Sequence, residues 1–404
     1  MGPDVEAAAA AGAADAAAAS SELLPPLKPF DGWEFFRSMG SPKYHVAPMV
    51  DQSELPFRML CRKYGSEAAY TPMLHSRLFV EEEKYRAEHF TTCLEDRPLF
   101  TQFCANDPDT LLAAAKLVEA RTDCVDLNLG CPQRIAKRGN YGAFLMDDLP
   151  RVESLVRKLA EGLSIPVTVK IRIFPEAAPW PQTIAYAKMI ERSGAAMLGV
   201  HGRTRDQKNL KATRADWDAI KAVVEAVSLP VIANGNIRHR QDADDCMAYT
   251  GAVAVMSAES LLENPALFAP EGALAGPPAA PKPPPEASCL LLAEYCDLVE
   301  KHPGAPMRMV KAHAHRMMGA WMREFTDLRD RLNHPPKVDI PMIRAIANEM
   351  AQRIKECGRD YPIPKKSARE IAREEKEEAI AAAKAEQARE EGAVAALDAA
   401  KAGG

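Results

Sequence analysis

The sequence predicts an α/β fold, a (β/α)8 TIM barrel, followed by a small all-helical domain. From Lys43 onward, eight short apolar runs alternate with longer amphipathic stretches, a pattern that indicates a parallel sheet with helices outside it. Eight repeats over roughly 230 residues match a closed barrel better than an open sheet. No G-x-G-x-x-G follows the first strand, which argues against an open dinucleotide-binding fold.

The predicted strands are short apolar runs bounded by turn residues or polar residues. They cover residues 44–48, 68–71, 99–103, 124–127, 167–171, 197–200, 231–233 and 253–256. Three helices between them carry terminal signals. The helix at 107–120 opens with Asp107 and Pro108, the helix at 149–161 opens with a proline, and the helix at 183–192 ends before Gly194.

Shifts in composition predict five segments along the chain. They are a disordered Ala-rich N-terminal extension (1–41), the barrel as catalytic domain (42–270), a Pro-rich linker (271–287), a helical domain (288–357) and a charged Ala-rich C-terminal tail (358–404). Residues 301–360 contain 12 Lys+Arg against 7 Asp+Glu, a balance of +5 within a chain of net charge -5. A solvated helical surface explains this balance, and an anionic partner is the alternative.

Cysteine and apolar content limit the class of protein further. The 9 cysteines form no C-x-x-C pair, and no histidine cluster has zinc spacing, so we expect a reducing intracellular compartment and no structural metal. No apolar run reaches the ~18 residues of a membrane-spanning helix.

Polar or conformationally special residues follow seven of the eight strands, where the active sites of such barrels lie. Among the loops that follow the strands, the one that starts at Gly130 is the clearest sign of a functional site. Its glycines allow close backbone approach, and Pro132 stiffens the chain next to Cys131. Free cysteines are usually buried apolar residues, but the neighbours of Cys131 are Gly, Pro, Gln and Arg. We therefore interpret Cys131 as a thiol held ready for chemistry.

Seven motifs in order carry a resemblance to a known family. They are VAPMVDQSELPFR, LFTQF, VDLNLGCPQRIAKRGNYGAFLM, VTVKIRI, VHGRTRDQKN, VIANGNIR and VMSAESLLENPALF. Together they resemble the tRNA-dihydrouridine synthases, most closely the eukaryotic type that acts on D-loop positions 16 and 17. The resemblance implies an FMN-containing enzyme that uses NADPH to reduce uridine to 5,6-dihydrouridine in tRNA. From the +5 charge balance of residues 301–360, we predict that the helical domain (288–357) helps to bind this tRNA.

The resemblance also implies roles for individual residues. Cys131 would be the catalytic acid that protonates C5 of uracil while a flavin hydride goes to C6. The residues implied to hold FMN are Pro48, Met49, Val50, Gln102, Lys170, His201, Asn234, Gly235, Asn236, Ala258 and Glu259. The residues implied to bind the substrate are Asn128, Arg134, Lys137, Arg138, Arg172, Arg203 and Arg205.

Two other functions fit parts of the pattern. A small-molecule FMN oxidoreductase of the dihydroorotate dehydrogenase type would use the same barrel, but it would need neither the basic helical domain nor the basic run after Cys131. A non-catalytic tRNA-binding barrel would not need Cys131 or Lys170, and both are present. Flavin absorbance in the purified protein separates the non-catalytic alternative from the other two.

Overall fold

The eight predicted strands form a closed parallel barrel in a computed structural model that describes residues 30–208, 213–270, 284–334 and 337–363. The strands are β1 (Tyr44–Val46), β2 (Ala68–Tyr70), β3 (Leu74–His75), β4 (Leu99–Cys104), β5 (Cys124–Leu129), β6 (Val167–Arg172), β7 (Met197–His201), β8 (Val231–Asn234) and β9 (Ala254–Ser257). The pairings β1–β9, β1–β2 and β2–β4 close the ring, and the two-residue β3 adds to β4 outside it. The predicted fold class is confirmed, although β3 was not predicted.

The sequence predicted three of the helices that precede or connect the barrel strands. The described helices of this part are α1 (Gly32–Ser38), α2 (Leu55–Lys63), α3 (Ser76–Glu81), α4 (Glu83–His89), α5 (Pro108–Lys116), α6 (Arg134–Gly139), α7 (Leu149–Gly162), α8 (Pro181–Arg192), α9 (Trp217–Ala226), α10 (Arg240–Thr250) and α11 (Glu259–Glu263). The helix predicted at 107–120 is shorter and ends at Lys116. A separate 3-10 turn follows at Glu119–Arg121.

A helix lies within the segment that the sequence predicted to be disordered. Residues 1–41 were predicted to be a disordered extension, but residues 31–38 form and cap α1; residues 1–29 lie outside the described residues. Phe35 and Phe36 of α1 are buried against residues at the amino-terminal ends of the strands, including Ala68 and Cys124. This part of the prediction was wrong because two aromatic side chains suffice to anchor a short helix that has few other apolar residues.

The helical domain lies directly against the barrel. It consists of α12 (Ala287–Lys301), α13 (Met307–Met317), a 3-10 turn (Trp321–Arg323), α14 (Thr326–Asn333) and α15 (Ile340–Cys357). Helix α12 packs on α2, and α13 packs on α11, so that one apolar core runs through both parts. The predicted linker lies mostly outside the described residues, and Ala287 at its end already belongs to α12. No helix within the described ranges is long and apolar enough to span a membrane.

A buried polar cluster lies between the two parts. The carboxylate of Glu54, in the loop between β1 and α2, accepts hydrogen bonds from Tyr295 Oη (2.6 Å) and interacts with His313 Nε2 (3.1 Å). The His313 ring also stacks on Phe57, with 4.3 Å between the ring centroids. The side chains of Tyr295 and His313 are fully buried. Separating the helical domain from the barrel would therefore break their hydrogen bonds to Glu54 and expose apolar surface.

Candidate active site at the carboxyl ends of the strands

Lys170 lies at the centre of the predicted site, near the end of β6. Its ammonium group is buried and donates to Asn234 Oδ1 at the end of β8 (3.0 Å), whose own amide donates to the carbonyl of Met256 (3.0 Å). Burial and the nearby Arg172 lower the pKa of Lys170 to about 8. A positive charge held in this way gains stabilisation from any anionic group that binds beside it.

His201 at the end of β7 is an uncharged imidazole. Burial, together with the positive charges of Lys170, Arg172 and Arg203, lowers the pKa of His201 well below its usual value. The guanidinium of Arg203 lies 2.9 Å from His201 Nε2 and also donates to Asn236 Oδ1 (3.0 Å). Since a guanidinium only donates, His201 Nε2 is the acceptor and the proton of the neutral ring is on Nδ1.

A cavity of about 540 Å³ opens between the ends of β7, β8 and β9. Residues 235 and 236 line it in positive-φ conformations (119° and 62°), and a Cβ on Gly235 would lie 2.5 Å from Ala215 Cβ. Successive residues of this kind expose backbone N–H groups that bind anions. The structure brings together here five of the residues implied to hold FMN: Asn234, Gly235, Asn236, Ala258 and Glu259. The implied set omitted Arg214 and Arg238, which also line the cavity. Their only signal in the sequence was a basic residue in the loops after β7 and β8.

Asn128 and Gln102 lie in the same hydrogen-bonded layer of the barrel. Asn128 Oδ1 accepts from the backbone N–H groups of Gly130 (3.1 Å) and Cys131 (2.9 Å). Asn128 Nδ2 donates to Gln102 Oε1 (2.7 Å). Both side chains are buried, and together they anchor the start of the cysteine loop.

Cys131 is half-buried at the start of this loop. Gly142, with φ of 65°, packs so closely against it that an added Cβ would lie 2.9 Å from the Cys131 carbonyl oxygen. Burial raises the pKa of the thiol, against the opposing effect of Arg172 and Lys170. The thiol is therefore protonated at neutral pH, as a proton donor must be.

Arg172 and Arg203 are placed differently from the other implied substrate-binding residues. Both are buried, and Arg172 donates to the carbonyls of Gly130 (2.8 Å) and Thr204 (2.9 Å). These contacts join the loops after β5 and β7. The structure thus places the two guanidinium groups inside the framework of the site rather than on its open surface.

The remaining implied residues lie around the mouth of the barrel. Arg134, Lys137 and Arg138 are all exposed on α6, directly after Cys131. Arg205 pairs with Asp147 (2.6 Å) and lies over the ring of Phe144, with 5.2 Å from its guanidinium carbon to the ring centroid.

The loop after β1 carries Pro48, Met49 and Val50. The backbone N–H of Met49 donates to Ser53 Oγ (3.1 Å), which stabilises the turn, and Val50 is 52% exposed. These residues form the rim of the barrel on the side of the helical domain.

A closed parallel barrel with a buried lysine, a neutral histidine, a protonated cysteine and a polar cavity at its carboxyl end has the organisation of a (β/α)8 barrel enzyme. Comparison with known protein families makes the class specific. The family model for dihydrouridine synthase matches residues 45–351. The chain belongs to the dihydrouridine synthase family.

Curated relatives agree with this assignment. The chain is 46% identical over 311 residues to a "tRNA-dihydrouridine(16/17) synthase [NAD(P)(+)]-like" protein of Rattus norvegicus, covering 76% of this chain and 67% of that protein. It is 44% identical over 314 residues to the "tRNA-dihydrouridine(16/17) synthase [NAD(P)(+)]" of Schizosaccharomyces pombe, covering 76% of each. A "tRNA-dihydrouridine(20a/20b) synthase [NAD(P)+]-like" protein of Mus musculus is 41% identical over 226 residues, covering 55% of this chain and 68% of that protein.

Proposed function

We propose that this chain reduces uridine to 5,6-dihydrouridine in tRNA, at D-loop positions 16 and 17, with bound FMN and with NADPH as the reductant. The observation that carries the proposal is a half-buried thiol, Cys131, at the mouth of a barrel that belongs to the dihydrouridine synthase family. Two relatives named for positions 16/17 are 46% and 44% identical and match 76% of the chain, whereas one named for positions 20a/20b is 41% identical and matches 55%. Family membership disfavours a small-molecule oxidoreductase.

The cavity and its surroundings fit a flavin mononucleotide. The turn at Gly235 and Asn236, with Arg214 and Arg238 beside it, suits the phosphate. Lys170 and Gln102 are buried near the barrel axis and suit the polar edge of the ring, while Pro48, Met49 and Val50 form the adjoining rim. His201 adjoins Gly235, with His201 Cδ2 3.2 Å from a Cβ built there, and suits a position beside the ribityl chain.

When bound and reduced, the flavin supplies the hydride for C6 of uracil. Negative charge then develops toward C5, and the Cys131 thiol quenches it by donating its proton there. Asn128 retains one amide hydrogen to hold the uracil edge, since its oxygen and its other hydrogen are engaged within the protein. The target uridine must leave the D-loop stack to reach a thiol that is half-buried.

Basic side chains near the mouth suit the tRNA backbone. Arg134, Lys137 and Arg138 are exposed beside the loop of Cys131, where they would contact phosphates around the extruded base. The helical domain (288–357) adds further basic side chains, among them Lys311 on α13, which is partly buried, and Arg323 in the 3-10 turn, which is exposed.

The test uses purified protein with FMN, NADPH and an unmodified tRNA that has uridine at positions 16, 17 and 20. We expect dihydrouridine at 16 and 17 only. The Cys131→Ser variant should still bind FMN and oxidise NADPH, but it should lose about 10²- to 10⁴-fold in uridine reduction, the usual contribution of a general acid.

Cys93→Ser is the matched control, because Cys93 is also a half-buried thiol but lies outside the site. It should react at the wild-type rate. Wild-type turnover by Cys131→Ser would remove the thiol from the mechanism, and a flavin-loaded wild-type protein that forms no dihydrouridine would refute the proposed function itself.

A further inference from the structure

Asp126 is a buried carboxylate on β5 for which the proposed mechanism has no use. Its side chain is 1% exposed, and its two oxygens accept hydrogen bonds from Gln102 Nε2 (2.7 Å) and from Thr168 Oγ1 (2.6 Å). Burial raises its pKa to about 6, against the opposing effects of Thr168, Gln102 and Lys170. Burying an ionised carboxylate is unfavourable even when hydrogen bonds compensate it, so the presence of Asp126 at this position calls for an explanation.

The hydrogen bonds of Asp126 begin a chain that ends on the catalytic loop. Asp126 accepts from the Gln102 amide nitrogen, the Gln102 oxygen accepts from the Asn128 amide nitrogen (2.7 Å), and the Asn128 oxygen accepts from the backbone of Gly130 and Cys131. All three side chains are buried. The chain crosses from β5 to β4 and returns to β5 before it reaches the loop.

The two ends of this chain dictate the same orientation for both amides. The backbone N–H groups of Gly130 and Cys131 can only donate, so the atom of Asn128 that faces them must be its oxygen. The ionised carboxylate of Asp126 can only accept, so the atom of Gln102 that faces it must be its nitrogen. If a hydrogen-bond donor replaced the Asp126 carboxylate, the amide groups of Gln102 and Asn128 would both have to rotate by half a turn. The amide nitrogen of Asn128 would then face the backbone N–H groups of the loop.

We propose that Asp126 is a positioning residue: through Gln102 it fixes the direction of the Asn128 amide, and thereby holds the backbone of Gly130 and Cys131 in the reactive position. The same orientation determines which amide hydrogens of Gln102 and Asn128 remain for the carbonyl groups of a pyrimidine ring. This inference rests on the proposed function for the role of Cys131, but the hydrogen-bonded chain itself does not.

The test compares three variants of the full-length flavin-loaded protein. Asp126→Leu removes the acceptor while nearly keeping the shape of the side chain. Asp126→Asn keeps an acceptor, because its amide oxygen can face Gln102 while its nitrogen donates to the Thr168 hydroxyl. Thr168→Val is the matched control, since it removes the other hydrogen bond of the same carboxylate and leaves the chain to Cys131 complete.

Two measurements are made on each variant, one of them independent of activity. The first is the rate at which an alkylating reagent modifies the Cys131 thiol, followed by mass spectrometry. The second is single-turnover uridine reduction by pre-reduced enzyme, compared with the rate of flavin reduction by NADPH. In Asp126→Leu the alkylation rate of Cys131 should change at least about 5-fold, and uridine reduction should fall by about 10- to 100-fold, as expected when a reactive group is displaced by about 1 Å.

In Asp126→Leu, flavin reduction by NADPH should fall less than uridine reduction, because Gln102 adjoins the proposed flavin but Cys131 takes no part in that step. Asp126→Asn and Thr168→Val should keep both thiol alkylation and uridine reduction within about 3-fold of the wild type. If Asp126→Leu does not fold, Asp126→Val, a strand-favouring side chain, makes the same comparison.

Two results would overturn the inference. One is wild-type alkylation and uridine reduction in Asp126→Leu or Asp126→Val. The other is a loss in Asp126→Asn as large as in Asp126→Leu, because that would mean that the negative charge near Lys170 matters and the direction of the amides does not. Failure of the wild-type protein to form dihydrouridine would instead refute the proposed function, while the alkylation comparison would still test the hydrogen-bonded chain.

Discussion

Two buried ionisable residues define the electrostatics of the site. Burial raises the pKa of Asp126 to about 6 and lowers that of Lys170 to about 8. The two lie on neighbouring strands, and Asn128, two positions after Asp126, pairs in register with Lys170. At neutral pH both groups are charged although burial opposes each charge. Burying two charged groups contributes little to the stability of the fold. Their effect on a bound ligand or on the cysteine loop is therefore the better explanation for their presence.

Lys170→Met should make the flavin-free protein more stable at neutral pH. The unfolded chain holds the lysine proton up to its ordinary pKa of 10.5, whereas the folded chain releases it near pH 8, so the unfolded state binds more protons between these values. The destabilisation by Lys170 is therefore complete below pH 8 and disappears as the pH rises toward 10.5. We expect a gain of about 1 to 2 kcal/mol at pH 7, after loss of the hydrogen bond to Asn234.

Denaturant titrations from pH 7 to pH 10 measure this effect. The advantage of Lys170→Met should shrink steadily across the range, whereas Lys188→Met, an exposed lysine on α8, should show no such trend. An advantage independent of pH would mean that the gain comes from packing of the methionine. The same variant should bind reduced flavin more weakly, because it lacks the charge that stabilises an anionic ring.

At the scale of single elements, α1 shows how a short helix can close a barrel. Asp31 Oδ1 accepts from the backbone of Trp33 (2.8 Å) and Glu34 (2.9 Å), which caps the helix, and the Trp33 indole donates to the carbonyl of Ser228 (2.8 Å). Gly32 lies against the loop before β7, where a Cβ would be 1.9 Å from the carbonyl oxygen of Ala196. No side chain larger than that of glycine fits at this position.

Gly32→Ala should therefore lower the free energy of unfolding by about 1 to 3 kcal/mol, the usual effect of overpacking a tightly packed contact. Thermal melting of the flavin-loaded protein measures the loss. Glu34→Ala, an exposed position on the same helix, is the control and should stay within about 0.5 kcal/mol of the wild type. A melting temperature unchanged by Gly32→Ala would show that α1 does not pack on the barrel as described.

The sequence predicted the barrel strands well because each is a buried apolar run with a clear boundary. The strand at Val167–Arg172, for example, was predicted to end at 171. The sequence did not predict α1 or β3. Contacts distant in the sequence, such as that of Trp33 with Ser228, stabilise α1. Candidate site residues could be predicted because polar side chains follow the strands and the motifs there resemble a known family. The hydrogen bond from Gln102 to Asp126 was not predicted, since no local pattern encodes it.

At the scale of the whole molecule, the basic residues of the helical domain differ in their partners, and several pair with carboxylates of the same domain, as Arg331 does with Glu349 (2.5 Å). Arg308 pairs with Glu88 (2.7 Å) and Asp51 (3.3 Å), and Arg316 pairs with Glu259 (3.5 Å), so both bind the helical domain to the barrel. In the described part of the chain, Lys311 and Arg323 have no carboxylate within ion-pair distance. The excess positive charge that faces solvent is thus smaller than the sequence count indicates.

This difference leads to a prediction about tRNA binding. Lys311→Glu combined with Arg323→Glu should weaken tRNA binding and flatten its dependence on salt, because each lost phosphate contact reduces the slope of log K against log salt by about 0.7 to 0.9. Filter binding with unmodified tRNA at several salt concentrations measures both effects. FMN content and NADPH oxidation should not change, since neither residue lines the cavity at the strand ends.

The matched control exchanges the same number of charges at the other end of the molecule. Arg37 on α1 and Arg192 at the end of α8 are exposed near the amino-terminal ends of the strands, away from the mouth. If tRNA lies across the mouth, Arg37→Glu with Arg192→Glu should weaken binding less and leave the salt slope near the wild-type value. Equal losses in the two double variants would mean that only net charge matters. No loss in either would leave Arg134, Lys137 and Arg138, beside the reactive thiol, as the surface that holds the tRNA.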